Sequence, residues 1–425
     1  MNLTRRDGQA MTAKPRILLI GTADTKSPEL TFLKDCILEA GGEVVFMDIG
    51  VLARGTLKAE ITNDAVAAAA NSALAEITAL GDENLAMSKM AEGAVKLASQ
   101  YCVEKRIDGM LALGGTMGTD LALDVASALP LGFPKFIVST IAYSHLIPPE
   151  RVPPDLMMIL WAGGLYGLND ICRSSLAQAS GAVVGACRAA RKPIGGRPLI
   201  GMTSLGKSCL RYMVYLLPAL EERGYDVAVF HTTGMGGRAF EALAASGAFA
   251  AVMDFSLQEL ANHCAGSIVT AGVDRLEGAG RRGTPQIVAP GAIDMIDFPT
   301  WRGSSLRSGD GRNYHAHNRL LASVTATGDE RRRVARHIAE KLSLAHGPTI
   351  YLVPQRGIEG WDREGEPMYA PDALTAFLDE TRRAPIANAQ LVELDAHIND
   401  VAFADAALSI LDDWVAKGQV PKGRP

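Results

Sequence analysis

The chain lacks long hydrophobic runs, paired cysteines and any surplus of positive charge, and each absence removes a class of protein. No stretch approaches the roughly 18 consecutive apolar residues of a membrane-spanning helix. The first fourteen residues are polar and carry Arg5 and Arg6. Ile17–Ile20 is too short for a signal-peptide core and reads as a strand, so a cytoplasmic location is expected. The six cysteines (36, 102, 172, 187, 209 and 264) are scattered without a C-x-x-C pair. That spacing fits a reducing compartment and excludes a disulfide framework or a zinc-finger-type site. Lys plus Arg number 42 against 47 Asp plus Glu, for a net charge of −5. No nucleic-acid footprint follows from that balance. The run Arg331-Arg332-Arg333 reads as a solvated helix face.

What remains is an ordinary globular balance, 48% hydrophobic and 21% charged over 425 residues. That length accommodates two or three domains of roughly 100–200 residues. Short apolar runs alternate with helical stretches from Arg16 onward. Strands are expected at Arg16–Ile20, Glu43–Met47, Gly109–Leu113, Lys135–Ser139 and Leu156–Leu160. Helices are expected at Glu29–Ala40, Asp64–Leu80, Glu83–Tyr101, Thr119–Ala128 and Ser174–Arg191. A stretch rich in Pro, Gly and charge, Arg191–Pro198, interrupts the pattern, which then restarts with strand Leu199–Met202 and helix Cys209–Arg223. It continues through strands at Asp226–Phe230, Ala250–Met253, Gln286–Ala289, Thr349–Val353 and Gln390–Leu394. Strands separated by helices imply βαβ units and parallel sheets. The fold expected is therefore α/β, two Rossmann-like doubly wound domains with mainly parallel sheets. The boundaries read as a tail over 1–14, a nucleotide-binding domain over 15–192, a linker over 193–198 and a second α/β domain over 199–425. The irregular segment Gly291–Asn318 is too long for a mere connection.

In open α/β sheets, ligands bind beyond the carboxyl ends of the strands. The loop after the first strand, Gly21-Thr22-Ala23-Asp24-Thr25-Lys26, offers a glycine turn, two hydroxyls, a carboxylate and a lysine before a helix start. Helix N-termini attract phosphate, the lysine neutralises it, and Asp24 can support Mg²⁺ through oxygen or water. The loop after the third strand, Gly114-Gly115-Thr116-Met117-Gly118-Thr119, lets backbone N–H groups approach an anion. Asp48 ends the second strand, about where a dinucleotide fold places its ribose acid, although the full G-x-G-x-x-G fingerprint is absent. A solvated strand end is the alternative for Asp48.

These residues also carry a resemblance. Ile20–Lys26, Asp48-Ile49-Gly50, Leu113–Thr119 and Gly167-Leu168-Asn169 resemble the plant tobamovirus-resistance protein family and its uncharacterised bacterial ATP-binding relatives. The likeness continues in Phe230–Arg238, Tyr314–Asn318, Pro354–Gly357 and His397–Asp400, and so spans nearly the whole chain. It implies two α/β lobes, ATP binding and a homodimer, with the nucleotide role carried onto the loops Gly21–Lys26 and Gly114–Thr119. It implies no particular reaction.

Gly201–Ser208 also fits the P-loop pattern G-x-x-x-x-G-K-[ST], between an expected strand and helix, with Asp254 placed for a magnesium-linked acid. The family pattern has uncharged residues near Lys207, which weighs towards a chance match. Further polar residues (His231, Asp274, Arg275, Asp294, His315, His317, Asn318, Gln355, Arg356, Asp395 and His397) suggest a small polar ligand in the second domain. The functional expectation is an ATP-binding protein, with magnesium, that acts on such a ligand. A non-catalytic ATP-responsive sensor or partner-binding protein, and a P-loop hydrolase working from Lys207, remain open beside it.

Overall fold

The computed structural model describes residues 14–52, 57–190, 196–206, 209–301, 312–366 and 368–424. The expected tail and linker fall mostly outside these residues, as do Lys207 and Ser208. The chain divides into two compact units, Met1–Pro193 and Ile194–Pro425.

The first unit runs β1 (Arg16–Gly21), α1 (Ala23–Glu39), β2 (Glu43–Asp48), α2 (Asn63–Ala69), α3 (Leu74–Thr78), α4 (Glu83–Val103), β3 (Gly109–Gly114), α5 (Thr116–Ala128), β4 (Lys135–Ser139), β5 (Leu156–Leu160) and α6 (Asp170–Ala189). Its strands form one sheet in the order β2-β1-β3-β4-β5, with every neighbouring pair parallel. Alternation along each strand feeds two cores. Leu18, Ile20, Met110, Ala112 and Ile137 pack with α2, α4 and α5 on one face. Ile17, Leu19, Leu111, Leu113 and Val138 pack with α1 and α6 on the other. Burying each such large side chain contributes roughly 1.5–3 kcal/mol. The single helix expected over Asp64–Leu80 is two, α2 and α3, because the chain reverses at Asn71 with φ of 59°.

The second unit runs β6 (Leu199–Ser204), α7 (Met213–Glu222), β7 (Asp226–His231), α8 (Met235–Ser246), β8 (Ala251–Ser256), α9 (Gln258–Cys264), α10 (Gly278–Arg282), β9 (Gln286–Gly291), β10 (Met295–Pro299), β11 (Tyr314–Ala316), β12 (Leu321–Thr325), α11 (Gly328–Leu342), β13 (Thr349–Pro354), α12 (Pro371–Arg383), β14 (Gln390–Leu394) and α13 (Val401–Ala416). Its main sheet has the order β14-β13-β9-β8-β6-β7 and is parallel throughout. Two mainly parallel, doubly wound α/β sheets are thus the architecture of the chain.

Three expectations change. The supposedly irregular Gly291–Asn318 contains β10 and β11, which join β12 in a small antiparallel sheet of order β10-β12-β11. The helix expected from Cys209 begins only at Met213. Arg331 is buried rather than solvated, because α11 turns this position towards the protein interior and leaves Arg333 exposed.

Helices α2 and α4 meet at Gly93, where an added Cβ would lie 1.9 Å from the Val66 carbonyl oxygen. Gly93→Ala therefore forces the two helices apart. We expect it to lower the unfolding free energy by about 1–3 kcal/mol in urea titration. An unchanged midpoint would mean that α2 yields without cost.

Candidate functional site

The order β2-β1-β3-β4-β5 reverses direction between β1 and β3. At such a switch point the loops after the two strands part and leave a crevice at the carboxyl edge. The loops after β1 and β3 line a single cavity of about 500 Å³ there. Of the residues singled out in the sequence, Thr22, Asp24, Thr25, Lys26, Gly114, Gly115, Thr116, Met117 and Gly118 all line it.

The local geometry follows from the residues. Gly114 must be glycine, since a Cβ would lie 2.5 Å from the carbonyl carbon of Gly118. Gly115 is the N-cap of α5 and supplies no side-chain cap. The first-turn N–H groups of α5 therefore depend on solvent or a ligand, and the helix dipole favours an anion. On the opposite wall, α1 starts with a turn from Thr22 to Lys26, closed by the Lys26 N–H on the Thr22 carbonyl at 2.9 Å. The helix is kinked at Lys26. Pro28, two residues on, cannot donate the next helical hydrogen bond. The Thr22 and Thr25 hydroxyls meet at 2.7 Å.

Two charged groups face this space with capacity to spare. Asp24 Oδ2 accepts the Leu52 N–H at 2.9 Å, whereas its Oδ1 is buried and has no hydrogen-bond partner among the described residues. The Lys26 ammonium lies 5.8 Å from the Tyr166 ring centroid and has no carboxylate partner among the described residues. The Tyr166 loop is tied to α1 by Glu29, which accepts the Gly167 N–H at 2.8 Å.

Three singled-out residues stand behind the cavity instead of lining it. Asp48 is buried, and its Oδ1 accepts the N–H groups of Ala23 at 3.0 Å and Gly50 at 2.9 Å. Burial raises its carboxyl pKa, and the two N–H donors pull the other way. It fixes the start of α1 against the end of β2, which makes it a positioning residue. Gly21 leaves room for Leu30, which an added Cβ would meet at 2.6 Å. Thr119 is fully buried, with its hydroxyl 2.7 Å from that of Ser139. Sequence reasoning missed Val51, Leu52, Glu83 and Met87, which complete the lining. None belongs to a glycine-rich motif. Only the spacing of Glu83 and Met87, one turn apart on one helix face, could have marked them.

In the second unit some of the singled-out residues come together: Arg275 joins Asp254, and Asp294, His315, His317 and His397 all meet the Glu359–Asp362 segment, while the rest lie apart. Arg275 is fully buried, with Asp254, Glu241 and Glu259 around it at 2.5, 2.9 and 2.9 Å. Burial pushes Glu259 up to about 7, against the pull of Arg275. Its Oε1 also holds the N–H groups of Gly234 and Gly237, so this network braces the Gly-rich loop after β7. Asp274 pairs with Arg238 at 2.6 Å, and Arg356 pairs with Asp395 on the surface. Gln355 binds Glu393 at 2.9 Å. Asn318 caps its own turn by accepting the Leu320 and Leu321 N–H groups. His315 and His317 pack on Trp361. His397 lies against the Glu359 carbonyl at 3.0 Å, and burial drives it down to about 4.

The second switch point lies between β6 and β8. Ser204, at the end of β6, and Gln258, at the start of α9, are buried; among the described residues Ser204 Oγ has no hydrogen-bond partner, and the Gln258 amide lies beside Asp297. Asp294, after β9, is also buried; its oxygens have no hydrogen-bond partner among the described residues, but it sits with Arg331, Asp362 and Glu359, and burial raises its carboxyl pKa against the pull of Arg331. His231 ends β7 and is exposed. Gly201 of the P-loop match lies inside β6, where a Cβ would meet the Phe249 ring at 2.7 Å. A P-loop requires its lysine at the start of the following helix, yet α7 starts at Met213.

Residues 15–192 match the N-terminal domain of the uncharacterised protein family UPF0261, and residues 197–415 match its C-terminal domain. The chain belongs to the UPF0261 family. It is 56% identical to a UPF0261 protein of Brucella melitensis, covering 97% of this chain and 99% of the relative. A UPF0261 protein of Clostridium tetani is 34% identical, over 95% of this chain and 99% of its own length. The ToMV resistance protein Tm-1 of Solanum lycopersicum is 27% identical over 93% of this chain, which corresponds to 55% of the tomato protein.

In this UPF0261 chain the small antiparallel sheet carries its own buried relay. The Asp297 N–H donates to Asn262 Oδ1 at 2.7 Å, and its carboxylate accepts from the Ser323 hydroxyl, which also meets His317 Nε2 at 2.7 Å. Burial lifts Asp297 to about 6. The native state therefore retains a proton that the unfolded chain loses near pH 3.9, and Asp297 subtracts stability as pH rises from about 4 to about 6. In urea titrations across that range, the stability of Asp297→Asn relative to wild type should climb with pH and level off above about 6. A flat difference would place the carboxyl at its ordinary value.

Proposed function

We propose that the first unit binds ATP with magnesium in the crevice between β1 and β3, and that the protein uses it to act on a small polar substrate held by the second unit. The observation that carries this reading is the convergence of two glycine-bearing loops and an unpaired lysine on one cavity. The α5 N-terminus and Lys26 suit a polyphosphate, by dipole and by charge. Val51, Leu52 and Met87 offer an apolar wall for a base. Asp24 lines the cavity and suits magnesium through a water once its side chain turns its carboxylate outward, since Oδ1 is buried and Oδ2 takes the Leu52 N–H. No metal cluster of three or more His, Cys, Asp or Glu occurs among the described residues. Magnesium would accordingly be held mainly by phosphates, as this cation prefers. When bound, ATP supplies an activated phosphoryl or nucleotidyl group. Ser204, Gln258 and Asp294 make the second carboxyl edge polar, and, being buried, they would reach a substrate only after a local opening of that edge.

A non-catalytic sensor is the second reading, a homodimer or partner-binding protein whose contacts respond to ATP. Exposed Leu52 and Met117 on the cavity lining, and Tyr166 beside Lys26, favour it, because an occupant would change the surface they present. Turnover separates the two readings: a sensor holds ATP unchanged whatever small acid or alcohol is added. No helix among the described residues is long and apolar enough to cross a membrane.

Gly115→Asp is a clean test. A Cβ at 115 meets nothing closer than Thr140 Oγ1 at 3.9 Å, and Asp is a favoured N-cap. The variant should be as stable as wild type or slightly more so, yet lose Mg-ATP binding in calorimetric titration. Lys26→Ala should weaken binding by about tenfold or more, whereas Lys207→Ala should leave it intact. Binding that survives Gly115→Asp and Lys26→Ala but disappears with Lys207→Ala would move the site to the second unit.

A further inference from the structure

The lining of the first-unit cavity contains one acid that the phosphate-binding loops do not explain. Glu83 opens α4, is exposed, and has no hydrogen-bond or ion-pair partner among the described residues. Placing a carboxylate on the wall of a polyphosphate site is unfavourable unless it meets something other than phosphate. Its surroundings indicate what that is. Met87 follows one helical turn later on the same face and is buried, and Val51 and Leu52 close the same side of the cavity. The apolar wall suits the flat base, while the α5 amides and Lys26 suit the phosphates. The group between a base and its phosphates is the sugar. A carboxylate has two acceptor oxygens, and a ribose offers two adjacent hydroxyl donors. Asp48, the acid at the conventional strand-end position, is buried and does not line the cavity, and its Oδ1 holds the Ala23 and Gly50 N–H groups.

Resting on the nucleotide reading above, we infer that Glu83 is the ribose-recognising residue of this site and makes it selective for ribonucleotides. The carboxylate accepts the 2′- and 3′-hydroxyls. A 2′-deoxy sugar leaves one oxygen without its donor, and a sugar phosphorylated at either position meets like charge.

The test is calorimetric titration with Mg-ATP and Mg-2′-deoxy-ATP, on wild type and on Glu83→Gln. Wild type should prefer ATP by about tenfold or more, the loss expected for one hydrogen bond to a charged acceptor. Glu83→Gln should lose most of that preference, mainly through weaker ATP binding. Because Glu83 is exposed and loses only its first-turn interaction with the α4 dipole, the thermal midpoint should fall by no more than about 1–4 °C. Equal affinity of wild type for the two nucleotides overturns the assignment and leaves ATP binding standing, as does a preference that Glu83→Gln preserves. Failure of wild type to bind either nucleotide overturns both readings.

Discussion

The candidate site depends on the parallel pairing of β1 with β3, which aligns Ile17 with Gly109 and Ile20 with Ala112. These strands are separated in sequence by an entire βα excursion through β2, α2, α3 and α4. Their ladder brings the ends at Gly21 and Gly114 to the same sheet edge. The alternating faces of the two strands are anchored in separate cores, so a register slip of one residue would turn both cores inside out. The position of the loops is thus enforced by hydrophobic burial on both sides of the sheet. Asp48 refines it by accepting the Ala23 N–H at the start of α1 and the Gly50 N–H in the loop after β2, which ties the two together.

Much of this arrangement was legible because each parallel strand is a short apolar run with a glycine or polar residue where it leaves the sheet. Lys135–Ser139, Leu156–Leu160 and Gln390–Leu394 have the bounds their composition suggested. The loops Thr22–Lys26 and Gly114–Gly118 carried their chemistry in local order. The antiparallel sheet was hidden because β11 has three residues and β10 carries Asp297 among apolar neighbours. Its partners across the ladder, especially Ser323, supply the context that makes such a residue tolerable. Glu83 was hidden for another reason. It reaches the cavity through the packing of α4, and packing has no signature in a linear motif. The P-loop match shows the reverse case, residues in the right order whose strand and helix bounds differ from the pattern.

The second unit spends buried charge on shape. Arg275 gathers three carboxylates where water is excluded, and such clusters seldom add net stability over a well-packed apolar core. What Arg275 and Glu259 do is hold the backbone amides of Gly234 and Gly237 in place at the carboxyl edge. The loop after β7 is positioned by electrostatics, whereas the first-unit loops are positioned by hydrophobic registration.

The small antiparallel sheet branches off between β9 and β13, which are direct neighbours in the main sheet. The Gln286 and Thr349 side chains that meet across this junction are 63 residues apart. Strands β11 and β12 are near in sequence, whereas β10 meets β12 across the span from Pro299 to Leu321. Joining β9 to β13 requires the whole excursion to be drawn into a loop, at an entropic cost that local pairing does not recover. Within the second unit, the β9–β13 junction therefore encloses a longer loop than any pairing of the small antiparallel sheet, and its closure carries the larger entropic cost.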